Sequence, residues 1–170
     1  GQVLTSAGAG AQPAFEAAGG WTLGTPVATT SGTSVTFGSI PSGTKIIKIL
    51  LKGVSFSGTD YIDVTIGDAG GLETSGYISM TEWTATTATS TAEFIVGENS
   101  ASASATRHSG IVTLALEDAS NFTWECSHAG KTKNTVAWHG GGDKSLSAEL
   151  TQVSISGGTF DNGAINIMYM

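Results

Sequence analysis

The segment KIIKILLKGVS, residues 45–55, constrains the fold more than any other stretch of the chain. Ile47, Ile49 and Leu51 form a uniformly apolar set, whereas Ile46, Lys48, Leu50 and Lys52 are mixed. Side chains alternate across a strand, so this period of two sets one face in a core and the other towards water. A helix would gather Lys45, Lys48 and Lys52 along one side, but the β-branched content and the nearby Gly53 and Gly58 speak against it. Composition agrees. The 24 glycines and the 12% of charged residues do not suit helices, where Gly costs about 1 kcal/mol at an interior position.

The same pattern recurs along the 170 residues. In YIDVTIG, Tyr61, Asp63 and Thr65 fall on one face and Ile62, Val64 and Ile66 on the other. Further strands are predicted at AEFIVG, GIVTLALED, FTWECSH, TVAWH, AELTQVSIS and INIMY. TPVATTSGTSVTF reads as a hairpin, two Val/Thr-rich arms around Ser31-Gly32, and SIPSGT as a turn shaped by Pro41 and Gly43. DAGGLETSG is a glycine-rich loop and ENSASASATRH a low-complexity, exposed loop. Many short strands with turn chemistry between them predict an all-β fold, an antiparallel, jelly-roll-like β-sandwich. Residues 1–20 are expected to form an extended Gly/Ala-rich leader or linker, and residues 21–170 the sandwich domain.

Charge narrows the partners. Fourteen acidic residues against seven basic ones give a net charge of −7, which repels a phosphate backbone, so no nucleic acid is expected. No membrane insertion is expected either, because the most apolar run, IIKILL, is far shorter than the ~20 residues a bilayer requires. The single Cys126 forms no intrachain disulfide. No secretory signal pattern opens the chain, and the lack of an initiator Met is read as processing or as a piece of something longer.

The residues offer partial matches to several chemistries. GSIPSGTK and ECSHAGKT approach a phosphate loop, but the first ends Thr-Lys and the second has Glu125 where its first Gly belongs. Strand-like residues follow both, where a phosphate loop needs a helix. No G-x-S-x-G elbow occurs, and His108, His128 and His139 have no identifiable serine and acid to work with. Cys126 and His128, two apart in a strand, point to one face, and His139 across from them would make a third zinc ligand. Asp60, Asp63, Asp68 and Glu73 are raw material for calcium without the EF-hand spacing. Trp124 and Trp138 lie in predicted strands and are expected in the core, whereas Trp83, in a Thr-rich stretch, is expected to be exposed. No cofactor, no metal and no catalytic residue is assigned.

Four blocks of the sequence carry a resemblance. GQVLTSAGAGAQPAF resembles the leader ahead of many bacteriophage fibre and tail domains. WTLGTPVATTSGTSVTFGSIPSGTKIIKILLKGVSFSGT is similar to the opening of a phage structural domain. VTIGDAGGLETSGY and KSLSAELTQVSISGGTFDNGAINIMY are similar to its middle and its close. The resemblance implies a non-enzymatic virion structural protein, a tail-fibre, appendage or head-surface fibre domain. It implies a homotrimer whose partners are other virion proteins and a host envelope glycan or outer-membrane protein. The middle of the chain departs from the pattern. Binding loops are therefore expected near residues 68–76, 98–108 and 128–143, with Trp83, Asn99, Arg107, His108, Lys131, Lys133 and His139 as candidate contact residues. The alternative is a lectin-like or polysaccharide-degrading module, for which Asp63, Asp68, Glu73, Glu82 and Asp143 are the available carboxylates.

Overall fold

A computed structural model of the chain describes residues 2–5, 14–17, 19–99, 106–133 and 135–170. Among them every regular element is a strand. The alternating segment is β6 (Ile46–Phe56), with Ile47, Ile49 and Leu51 buried as the pattern requires. Each such side chain, fully removed from water, stabilises the fold by about 1.5–3 kcal/mol before the entropy of ordering is counted.

β6 lies near the middle of the larger sheet. On one side it pairs with β12 (His108–Asp118), followed by β13 (Thr123–Thr132), β14 (Ala137–Ser145), β9 (Ile78–Trp83) and β10 (Thr86–Ser90). On the other side lies β16 (Phe160–Tyr169), which in turn pairs with the short β3 (Thr22–Leu23) and β4 (Val27–Ala28). The smaller sheet runs β11 (Phe94–Val96), β7 (Ile62–Asp68), β15 (Gln152–Ser156) and β5 (Ser34–Phe37), with β8 (Gly71–Leu72) on β7. All pairings are antiparallel. The two sheets pack face to face as a β-sandwich. Ile47, Ile49, Val112, Leu114, Trp124 and Trp138 of one sheet, with Ile62, Val64, Ile66, Val153 and Ile155 of the other, belong to one continuous core.

The expected hairpin at residues 25–37 is not formed. β4 pairs with β16 in the larger sheet and β5 with β15 in the smaller, so the chain changes sheets between them. Gly32 does take the left-handed conformation that a turn needs, with φ +82°. The two arms, however, find their partners in the C-terminal segment, which changes sheets alongside them. The Thr29 amide donates to Gly163 O at 2.9 Å and the Phe160 amide to Gly32 O at 2.8 Å. Of the leader expected at residues 1–20, β1 (Gln2–Thr5) and β2 (Ala14–Ala17) pair antiparallel. The rest of residues 1–18 lies outside the described residues.

β9 inverts the usual alternation. Ile78 and Met80 face outward, 70% and 40% exposed, while Ser79 and Thr81 are buried. The reason is a side-chain bridge between the sheets. Ser79 Oγ accepts the Ile95 amide at 2.9 Å, and Thr81 Oγ1 donates to Gly97 O at 3.0 Å. Both groups belong to the β11 segment at the edge of the smaller sheet, so two hydroxyls satisfy backbone that no neighbouring strand pairs.

Candidate functional site

The strand registers bring most of the candidate contact residues to one end of the sandwich. The β9–β10 turn, residues 97–99, residues 106–108 and the β13–β14 turn meet there. The loop at residues 68–76 lies at the opposite end, beside the start of β15. The expected binding loop at 128–143 is mostly strand, belonging to β13 and β14, with only a short turn between them. Asn99, Arg107, Lys131, Lys133 and His139 are exposed. Residues 100–105 lie outside the described residues.

His108 is not a surface contact. It is 2% exposed, and its Nε2 sits 3.3 Å from the Glu98 amide and 3.2 Å from the Glu98 carbonyl oxygen. Its place on the inner face of β12 follows from the register, which sets it opposite the buried Thr132. Burial holds its basicity below the ordinary histidine value. His128 is likewise buried, with Nε2 3.3 Å from Met80 O. Desolvation lowers its pKa to about 4, so the ring is neutral at pH 7. Trp138 contacts both imidazoles, with ring centroids 6.2 Å from His108 and 5.8 Å from His128. Space for the indole comes from two glycines opposite each other on β12 and β13. A Cβ on Gly110 would sit 2.6 Å from Trp138 Cη2, and one on Gly130 would sit 2.3 Å from its Cζ2. These aromatic and imidazole rings form a wall of the core and do not face solvent.

Trp83 is half-buried, not exposed. It packs against the core and meets Tyr61 edge-on at 5.7 Å. Asn99 hydrogen-bonds Tyr61, which brings that exposed amide to the same end. His139 stands on the outer face of β14, opposite in sense to the buried Trp138, and its Nε2 lies 3.7 Å from Glu82 Oε2. It therefore cannot join Cys126 and His128, whose side chains point into the core. Among the described residues no group of three or more His, Cys, Asp and Glu converges on a point.

The acidic residues separate into distinct settings. At the far end, Ser147 joins two carboxylates: its hydroxyl donates to Asp68 Oδ2 at 2.6 Å and its amide to Glu73 Oε1 at 2.7 Å. The buried Lys144 ammonium donates to Glu73 Oε2 at 2.5 Å. The Ser147 hydroxyl and the Gly70 amide hold Asp68 below the usual carboxylate range. At Glu73 burial acts to raise the pKa, but Lys144 and Ser147 outweigh it and the group is held low. Both carboxylates are thus ionised at neutral pH and serve to fasten the 68–76 loop to the segment before β15. Asp63 differs. Burial first, then the nearby charges of Glu93 and Asp60, push it up to about 7.

What the registers assemble without any signal in spacing is a cationic corner. Ser109 pairs with Lys131, and the Lys133 amide donates to Arg107 O at 3.0 Å. Arg107, Lys131 and Lys133 thereby border one depression, with Gly53, Ser109 and Thr132 as its remaining lining. No family model matches the chain, and neither a curated protein nor a solved structure matches it.

Proposed function

We propose that the chain is a non-enzymatic structural module of a bacteriophage particle, a tail-fibre, appendage or head-surface fibre domain. It acts in several copies, as a homotrimer, and presents one end of its sandwich to the host surface. The four sequence blocks that resemble those of phage fibre and tail domains support this reading. The observation that carries the reading is the outer face of the larger sheet. One register row across that face reads Met80, Gly141, Ser127, Thr113, Lys48 and Met168, with a single charge in six residues. Ile78, 70% exposed, and Ile111, 45% exposed, stand on the same face. An open depression of about 530 Å³ lies at its centre, bordered by Lys48, Ile111, Thr113 and Ser127. The rows beside it carry Glu82 and His139 on one side and Asp143 and Glu125 on the other. The feature is therefore a narrow band with exposed aliphatic groups between charged rows, a strip that suits packing against another chain better than permanent contact with water.

Two measurements on the same preparation test this. Light scattering behind size exclusion is expected to give a mass of three chains. Fluorescently labelled protein is expected to bind host cells saturably, with free surface polysaccharide competing. A monomer that binds neither cells nor other particle proteins would overturn the proposal.

The polysaccharide-cleaving alternative rests on one observation, the raised pKa of Asp63 beside Glu93 and Asp60, since a glycosidase needs one protonated carboxylic acid and one carboxylate. Asp68 and Glu73 do not supply that pair, because both are held ionised. Release of new reducing ends from host capsule, lost in Asp63→Asn, would favour cleavage over attachment.

A further inference from the structure

We propose that the corner formed by Arg107, Lys131 and Lys133 is a binding site for an oxyanion, the sulfate, phosphate or carboxylate group of an acidic polysaccharide. It depends on the attachment reading above only for the polymer that carries the anion. The corner is a depression of about 330 Å³. It takes three of the seven cationic side chains in a chain of net charge −7. A fourth, Lys52, is exposed on the strand position next to Gly53.

Such a concentration is ordinarily neutralised from within, and among the described residues no carboxylate pairs with it. Every Asp and Glu except Glu16 has its side chain among the described residues. Their ion pairs go to His139 and Lys144. Glu98, only nine residues from Arg107, is buried and forms no ion pair with it. Lys45 and Lys48 lie elsewhere on the surface, and Lys48 rests over Trp21 with its Nζ 5.0 Å from the ring centre.

The backbone around the corner is fixed. The Lys133 amide donates to Arg107 O, the Thr132 amide to Val136 O at 2.8 Å, and the Thr135 amide to Thr132 O at 3.1 Å. The three cationic side chains therefore leave a bonded frame at set positions. Ser109 adds a neutral donor. Its Oγ already accepts the Gly53 amide at 3.0 Å, so its own proton is directed elsewhere and is available at the lining. A guanidinium fork, two ammonium groups and a hydroxyl suit an oxyanion, Arg for its planar bidentate geometry and Lys as point charges. A single exposed site of this kind binds weakly and is screened by salt. In several copies on one polymer, linkage raises the apparent affinity by about 10²–10⁴.

The test uses the whole chain. Sodium sulfate and sodium phosphate are titrated at constant ionic strength while backbone amide resonances are followed. Saturable shifts are expected at Gly53, Ser109, Lys131 and Lys133, and they vanish in R107E/K133E but persist in K45E. R107Q/K133Q, with an unchanged melting temperature, separates lost charge from lost fold. Dextran sulfate and polygalacturonate are expected to bind at least ten-fold more weakly to the double variants, and neutral dextran not at all. Shifts scattered over the surface, or polymer binding unchanged in both double variants, would overturn the site. Binding to phosphatidylglycerol vesicles in place of the acidic polymers would overturn the polysaccharide assignment. Anion binding without cell attachment leaves the site standing and removes the attachment function. Cell attachment that R107E/K133E does not weaken removes the site and leaves the attachment function.

Discussion

Asp63 provides a test of how much the sandwich loses by holding a carboxyl where water reaches it poorly. It lies on β7 between Ile95 and Ser156 in the register, half-buried, with no hydrogen bond or ion pair among the described residues. Burial, then Glu93 and Asp60, raise it from 3.8 to about 7. The folded state therefore holds the proton more tightly than the unfolded chain, and between pH ~4 and ~7 stability falls as pH rises. The slope is at most about 1.4 kcal/mol per pH unit, or about 4 kcal/mol over the window. Partial solvent access to the group reduces that to about 2 kcal/mol. Asp63→Asn keeps the shape and removes the charge. The variant is expected to match the wild type at pH 4 and to exceed it by about 2 kcal/mol at pH 8. Urea unfolding followed by tryptophan fluorescence at pH 4, 6 and 8 measures this. The difference between the two proteins cancels the opposite slope contributed by Asp68 and Glu73, whose lowered values stabilise the fold above their unfolded pKa and cease to do so in acid. Parallel profiles for the two proteins would refute the reasoning, as would a less stable variant at pH 8.

Other changes probe other joints of the structure. Gly130→Ala drives a Cβ to 2.3 Å from Trp138 Cζ2 and 2.5 Å from Ser109 O, and overpacking is expected to cost about 1–3 kcal/mol of unfolding free energy, measured by urea titration. Ser79→Ala leaves the Ile95 amide buried and unpaired, a loss of about 1–3 kcal/mol, with faster hydrogen exchange at Ile95 as its local signature. Cys126 is buried, and burial raises its thiol pKa, so a thiol reagent is expected to label the native protein only at the rate of unfolding and the denatured protein at once. Rapid native labelling would place Cys126 outside the core.

Much of the fold was legible because alternation reports directly on burial. Ile47, Ile49 and Leu51 on β6, and Ile62, Val64 and Ile66 on β7, face inward as the period of two predicts. β9 escaped the same test because its polar residues face in: Ser79 and Thr81 are bonded to backbone of the other sheet, so hydrophobic alternation has the wrong sign there. The hairpin around Ser31-Gly32 failed for a non-local reason. The turn geometry exists, but the better partners for both arms lie more than a hundred residues away. At the candidate site, the exposure of Arg107, Lys131 and Lys133 was anticipated, while the burial of His108 was not. Position 108 looks like the end of a polar loop, and it is in fact the first residue of a strand with its side chain inward. The Gly110–Gly130 pair that admits Trp138 gives no signal in a single sequence, since those glycines read as strand breakers until the indole above them is seen.

The placement of β16 sets a timetable. Its ten residues run beside β6 and also carry the short β3 and β4, so the larger sheet is complete only once Tyr169 has been added to the growing chain. Until then β6, eleven residues long, is bonded on one side only. Its free amides and carbonyls offer a template to any strand that arrives, including the β16 of a second nascent copy. Synthesis on neighbouring ribosomes would therefore bring copies together at the moment when exchanging last strands is easiest. A chain ended at residue 159 is expected to be recovered as aggregate, and adding residues 160–169 as a free peptide is expected to rescue part of it into solution.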